Sequence, residues 1–167
     1  MEGNYCEARA KKRKTANDMM IKGLIIAGIV LSVLAGLILQ QSLVFLLAVV
    51  LGIVAYILFP RLNVEYEYVF CDGQLDFDKI MNGERRKHLA RVDMDQVVAV
   101  APKNSHALDG YKRDGVKTAD YSSLEDNAKV WGLVITAGEQ STIYYFEPTE
   151  EMIRRMKQKA PRKVVEF

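Results

Sequence analysis

From Gly23 to Pro60 the chain runs for 38 consecutive residues without an Asp, Glu, Lys, Arg or His. A chain of 167 residues has no soluble core large enough to hide such a stretch. A membrane-crossing helix needs about 20 mainly apolar residues, with about 17 as the lower limit. The run is therefore too long for one span and about right for two. Gln40, Gln41 and Ser42 divide it near its middle, leaving Gly23–Leu39 and Leu43–Phe59 at 17 residues each. Each half would reach roughly 26 Å as a helix. Met19–Ile21 can lengthen the first span, with the Lys22 ammonium reaching back to the interface. The expectation is a helical hairpin over residues 19–60, with spans at about 20–39 and 43–59 and a polar turn at the far interface.

Other origins of the apolar run fit less well. A cleaved signal peptide has a shorter apolar stretch and a small-residue cleavage motif, which this segment lacks. One long tilted helix would strand Gln40 and Gln41 in hydrocarbon, where each unpaired amide is costly. A buried soluble hairpin would need a much larger protein around it.

Charge sets the expected orientation. Residues 1–22 carry six basic and three acidic side chains, whereas residues 61–167 carry 17 basic and 18 acidic. Lys11, Lys12, Arg13, Lys14 and Lys22 flank the first span and Arg61 follows the second, while the turn between the spans is uncharged. Positive residues stay inside, so a cell-membrane protein with two spans and both termini cytoplasmic is expected. These six cations are the candidate contacts to anionic lipid. Residues 1–18 read as a basic N-terminal tail, and basicity confined to the membrane flank suits a lipid surface rather than nucleic acid. Cys6, in that tail, and Cys71, in a turn, are far apart with no C-x-x-C spacing, so neither a disulfide nor a metal site is expected.

Residues 61–167 are enough for one small core, and their patterning is mostly period two. Val64, Tyr66, Tyr68 and Phe70 alternate with Glu65 and Glu67, the signature of a half-buried strand. Asp72-Gly73 and Asn82-Gly83 are hairpin turns. Between them lies a strand with Leu75, Phe77 and Ile80, and after them strands over Arg86–Val92 and Gln96–Ala101, the latter stopped by Pro102. Residues 103–128 are polar and long for a structureless connection, so a short strand or turn is expected around Val116–Tyr121. Val130–Ala137 and Ser141–Glu147 make a further hairpin. A helix follows, capped by Thr149, acidic at Glu150 and Glu151, basic at Arg154, Arg155, Lys157 and Lys159, and stopped by Pro161. Met152, Ile153 and Met156 form its apolar stripe. Six or seven antiparallel strands followed by one amphipathic helix predict an antiparallel barrel or strongly bent sheet with the helix plugging one end.

The strand succession with its terminal helix resembles the pleckstrin-homology-like (PH-like) fold. More closely, it is similar to bacterial membrane proteins with an N-terminal transmembrane hairpin and a C-terminal PH-like domain, a largely uncharacterised family. The likeness is carried by Phe59-Pro60-Arg61 running into Val64–Phe70, and by Cys71-Asp72-Gly73 followed by Leu75. It continues in Arg85-Arg86-Lys87 leading to Val92-Asp93-Met94, and in Phe146-Glu147-Pro148-Thr149-Glu150-Glu151. The resemblance implies an α+β membrane protein: a two-helix hairpin, then a cytoplasmic PH-like domain at 61–167. Eukaryotic relatives bind phosphoinositides through a basic first hairpin. Taken as Val64–Ile80, that hairpin is acidic here, with Glu65, Glu67, Asp72, Asp76 and Asp78 against Lys79.

Reactive constellations are sparse. His88 and His106 are the two histidines, and Ser105, His106 and Asp109 are a local polar trio without a nucleophile elbow. Asp76 with Asp78, and Asp93 with Asp95, read as solvated strand residues. Arg85, Arg86 and Lys87, together with Tyr111, Lys112 and Arg113, are candidate partner contacts, and the basic end of the last helix could face an anionic leaflet. The expected function is a membrane-anchored cytoplasmic binding or scaffold module, without catalytic activity, cofactor or metal. Its partners would be the bilayer and a further protein in the membrane or cytoplasm. The alternative is an accessory or regulatory subunit of a membrane transporter or cell-envelope complex.

Overall fold

The computed structural model describes residues 5–112, 116–137 and 140–166. It divides into two compact units, one made of the residues up to Lys12 together with those from Glu65 onward, the other Arg13–Val64.

The second unit is a pair of helices, α1 (Ala16–Leu39) and α2 (Ser42–Leu62). Both are long and apolar enough to cross a membrane. At about 1.5 Å per residue they span roughly 36 and 32 Å, against about 30 Å of hydrocarbon. The Asp18 carboxylate accepts from the Thr15 backbone N–H at 3.0 Å and closes the start of α1. Gln40 adopts the left-handed conformation (φ 51°) that ends α1, and Gln41 returns to extended backbone before α2 begins. Gly36 lies against the ring of Phe45, where a Cβ would come within 3.0 Å, so this close approach depends on the missing side chain. Most other large side chains point outward; Ile38, for example, is 81% exposed. Helices apolar on every face and this exposed need an apolar surrounding.

The first unit is a β-structure closed by a helix. One sheet has strand order β1-β2-β3-β4, from Tyr5–Lys11, Val64–Cys71, Gln74–Met81 and Arg85–Asp93. The other has order β5-β7-β8-β6, from Val97–Pro102, Trp131–Ala137, Gln140–Phe146 and Lys117–Asp120. The Asp72-Gly73 and Asn82-Gly83 turns both take positive φ at each residue, the twist-matched geometry for tight hairpins. Helix α3 (Glu150–Lys159) is capped by the Thr149 hydroxyl, which accepts from the Met152 N–H at 3.2 Å. The main core joins both sheets to α3: Tyr68, Phe70, Leu75, Phe77, Leu133 and Phe146 are buried with Met152, Ile153 and Met156.

Two expectations are corrected. Residues 5–11 are not a tail. They form β1, paired antiparallel with β2 from Tyr5↔Cys71 to Lys11↔Glu65. Cys6, Ala8 and Ala10 face the core while Tyr5, Glu7, Arg9 and Lys11 face out. The domain boundary at residue 61 therefore gives way to a discontinuous domain, with the apolar hairpin inserted between its first two strands. Second, β6 runs parallel to β8, so the strands are not all antiparallel. The strands hydrogen-bond as two four-stranded sheets. After α3 the chain covers the outer edge of β5: the Val100 N–H donates to the Lys163 carbonyl at 2.7 Å, and the Val165 N–H donates to the Val100 carbonyl at 2.8 Å.

Candidate functional site

The hairpin leaves the sheet after Lys11 and returns at Val64, with four residues (12–15) before α1 and Asn63 alone after α2. The cations expected to meet lipid cluster around these two linkers. Lys12, Arg13 and Lys14 are exposed in the first linker. Lys22 lies on α1, its ammonium 5.7 Å from the centre of the Phe59 ring of α2, and Arg61 occupies the last turn of α2. Lys11 is the exception, since as a strand residue its Nζ sits 3.3 Å from Oε1 of Glu65.

The outward face of the first sheet is a charge ladder. Glu67, only 1% exposed, is held by Arg9 of β1, whose Nη2 lies 2.7 Å from Oε1, and by Arg86 of β4 at Oε2. Asp78 of β3 bridges Arg86 at 3.6 Å and His88 Nδ1 at 2.9 Å. Arg91 grips Asp76 with two bonds of 2.6 and 2.9 Å. Opposite charges on facing strands stabilise a sheet, and a buried carboxylate requires such partners. Glu65, Glu67, Asp76 and Asp78 thus serve the sheet. Arg86, a candidate partner contact, is exposed but engaged by Glu67 and Asp78, and its neighbours Arg85 and Lys87 are exposed as well.

The other candidates fall in the segment after β5. Ser105 is buried, and its hydroxyl accepts from the Ala107 N–H at 3.3 Å, capping the short helix His106–Tyr111. The His106 ring stands in solvent, 2.9 Å from Asp109, whose carboxyl is held below its ordinary range first by that bond and then by Lys112. Ser105 thus caps the short helix, and His106 pairs with Asp109. Tyr111 packs against a second small core built on Ala99, Ala101, Leu108, Val134 and Ile143. Lys112 bonds Asp109 and the Lys103 carbonyl. Arg113 lies outside the described residues. No group of three His, Cys, Asp or Glu among the described residues is placed to hold a metal ion.

Two open clefts flank Trp131. One, of about 500 Å³, is lined by Lys103, Asn104, Glu125, Asp126 and Lys129 among others. The other, of about 340 Å³, is lined by Pro148, Ile153, Arg154 and Lys157 among others. Beside them, the turn after β6 is pinned by Ser122 on Asp120 and Ser123 on Glu147, and it holds Leu124 half-exposed at φ 62°. A branched residue in that region is strained and persists only where its surroundings fix it.

A discontinuous domain of two sheets and a closing helix, carrying two apolar helices in its first connection, agrees with the comparison by family. The chain belongs to a family of bacterial PH-like domains. The model of that family, described as Bacterial PH-like domain (DUF6106), matches residues 2–166 and so takes in the helical hairpin as well as the sheets. No curated protein and no solved structure matches the chain. Placed on this fold, the first hairpin of the PH-like domain is β1–β2 rather than Val64–Ile80, and the helical pair α1–α2 occupies its connection.

Sequence reading missed Arg9, Glu67 and their ladder because β1 was hidden. The signal was present: residues 5–11 alternate Tyr, Glu, Arg and Lys with Cys and Ala. Small inward residues register weakly as apolar, and the basic run that follows drew the segment into a tail.

Proposed function

We propose that this protein is a membrane-anchored binding module without catalytic activity, its PH-like domain rooted at the cytoplasmic face of the membrane by α1 and α2. The observation that carries the reading is the insertion of both helices between paired strands. Lys11 faces Glu65 on one rung of the ladder, so both ends of the hairpin return to one side. Two spans satisfy that pairing; an odd number would part β1 from β2 across the bilayer. Lys12, Arg13, Lys14, Lys22 and Arg61 at that side favour the cytoplasm. The clefts beside Trp131 are where a bound segment or small molecule would find both apolar and charged surface.

The test is accessibility in intact cells. Gln41→Cys in a Cys71→Ser background should react with a membrane-impermeant maleimide from outside, whereas Cys71 of the natural chain should react only after permeabilisation. Labelling of Cys71 from outside, or protection of the Gln41→Cys site until lysis, would overturn the topology. Purification of the full chain in mild detergent then identifies what the domain holds.

A further inference from the structure

The antiparallel course β1-β2-β3-β4 places the β1–β2 connection and the β3–β4 turn at one end of the sheet. Both linkers to the helices therefore spring from the end that carries Asn82-Gly83. Around that turn the ladder brings like charges face to face: Lys79 stands directly opposite Lys87, and Arg85 pairs with Met81 on the last rung. Like charges on one rung repel. The acids of these strands do not relieve them. Glu65, Glu67, Asp76 and Asp78 are engaged by Lys11, by Arg9 and Arg86, by Arg91, and by His88 and Arg86. Among the described residues, no carboxylate lies within ion-pair distance of Lys79, Arg85 or Lys87.

A register shift between Phe77 and Asp78 produces this sorting. It aligns His88 and Arg86 with the acidic face and turns Lys87 and Arg85 to the face of Lys79, the re-aiming that a bulge performs. The result is a set of cations gathered over two rungs, with Arg85 and Lys87 exposed and Lys79 half-buried. Cations spread along an open strand end suit a planar anionic surface better than an enclosed ligand.

We infer that Lys79, Arg85 and Lys87 form a second contact with the membrane, binding anionic lipid headgroups of the leaflet in which α1 and α2 are rooted. The inference rests on the membrane-anchored reading above and adds a partner for the sheet itself. The contact is electrostatic, so it weakens as salt shortens the screening length.

The experiment follows amide hydrogen exchange of the full chain in lipid nanodiscs, comparing phosphatidylcholine alone with a mixture holding about 30% phosphatidylglycerol. Residues 79–87 should exchange several-fold more slowly in the anionic discs. The difference should vanish in the Lys79→Gln, Arg85→Gln, Lys87→Gln variant, and at about 1 M salt, where the screening length is about 3 Å. Should the triple variant melt lower than the natural chain, single Arg85→Gln and Lys87→Gln substitutions at exposed positions each remove part of the protection. Equal exchange in the two lipids overturns the inference. So does equal protection by inorganic phosphate in phosphatidylcholine discs, which would mark a soluble-anion site. Alkaline extraction of native membranes reports the anchor separately: release of the chain sinks the membrane reading, whereas retention without lipid-dependent protection sinks only the headgroup contact.

Discussion

Arg9 and Glu67 face each other across the β1–β2 ladder, with Nη2 of the guanidinium 2.7 Å from Oε1 of a carboxylate that is 1% exposed. The pair fastens the first strand to the strand that follows the entire apolar hairpin. Arg86 holds the second oxygen of the same carboxylate from β4. One buried anion thus ties together both edge strands of the sheet.

Removing either arginine should destabilise the domain, and removing both should cost more than the sum. Arg9→Ala or Arg86→Ala alone leaves Glu67 one cation. Because each arginine is 56% exposed, the cost is about 1–3 kcal/mol, below that of a fully buried pair. The double variant leaves a buried charge without a partner. A double-mutant cycle by chemical denaturation in detergent measures the coupling, and strict additivity would show that water replaces the guanidinium groups.

The discontinuous domain predicts which fragments fold. A chain joining residues 5–12 directly to 64–167 through Asn-Gly keeps the Lys11↔Glu65 rung and should melt cooperatively with a β-rich circular dichroism spectrum. Residues 61–167 alone lose β1, exposing the edge of β2 and the core around Tyr68 and Phe70. That fragment should aggregate or melt without cooperativity. A stable, monomeric 61–167 would show that β1 is dispensable.

Thiol chemistry separates the two faces of the first hairpin. Cys6 is buried and burial pushes its thiol pKa up, whereas Cys71 is exposed. In the folded protein a thiol-reactive disulfide should modify Cys71 at once and Cys6 only as fast as β1 detaches. Equal rates for the two would mean that β1 frays freely.

Alkaline pH should loosen the core. Burial raises the phenol pKa of Tyr66, Tyr68 and Tyr121 above its ordinary value of about 10. The folded state therefore holds these protons more tightly than the unfolded chain. Their contribution is complete below about pH 10 and is lost as pH rises toward the folded values. Tyr68 is the most strongly shifted, and its hydroxyl donates to the Tyr121 carbonyl. Tyr68→Phe should cost about 1–2 kcal/mol at neutral pH and flatten the fall in stability above about pH 10. An unchanged alkaline slope would locate the sensitivity elsewhere.

Much of this architecture was legible in the residues. The charge-free run, the Asp-Gly and Asn-Gly turns, the alternation of Val64–Phe70 and the capped helix after Pro148 are local signals, and each element appears where its signal stands. What stayed hidden depends on distant partners. β1 has inward alanines that carry little hydrophobic signal until β2 lies beside them. β6 lies where a short strand or turn was expected around Val116–Tyr121, but with four residues and no inward stripe it gave no sign of its parallel pairing with β8. The ladder on Glu67 followed from neither residue type nor spacing. Glu65 and Glu67 read as solvated, and only the registers on both sides show that one of them is buried.

The interruption of the sheet by the apolar hairpin also sets an order of events during synthesis. β1 leaves the ribosome first and must wait, unpaired, until two apolar helices have followed it and β2 has emerged. If α1 and α2 cross the membrane as proposed, the rung of Lys11 and Glu65 closes only when both strands lie on one side of it. A hairpin that enters the membrane with a single pass leaves β1 without its strand and the edge of β2 open, the kind of surface that proteases and chaperones recognise. On the membrane-anchored reading, completion of the β1–β2 pairing would proofread insertion of α1 and α2, coupling two folding reactions that take place in different solvents.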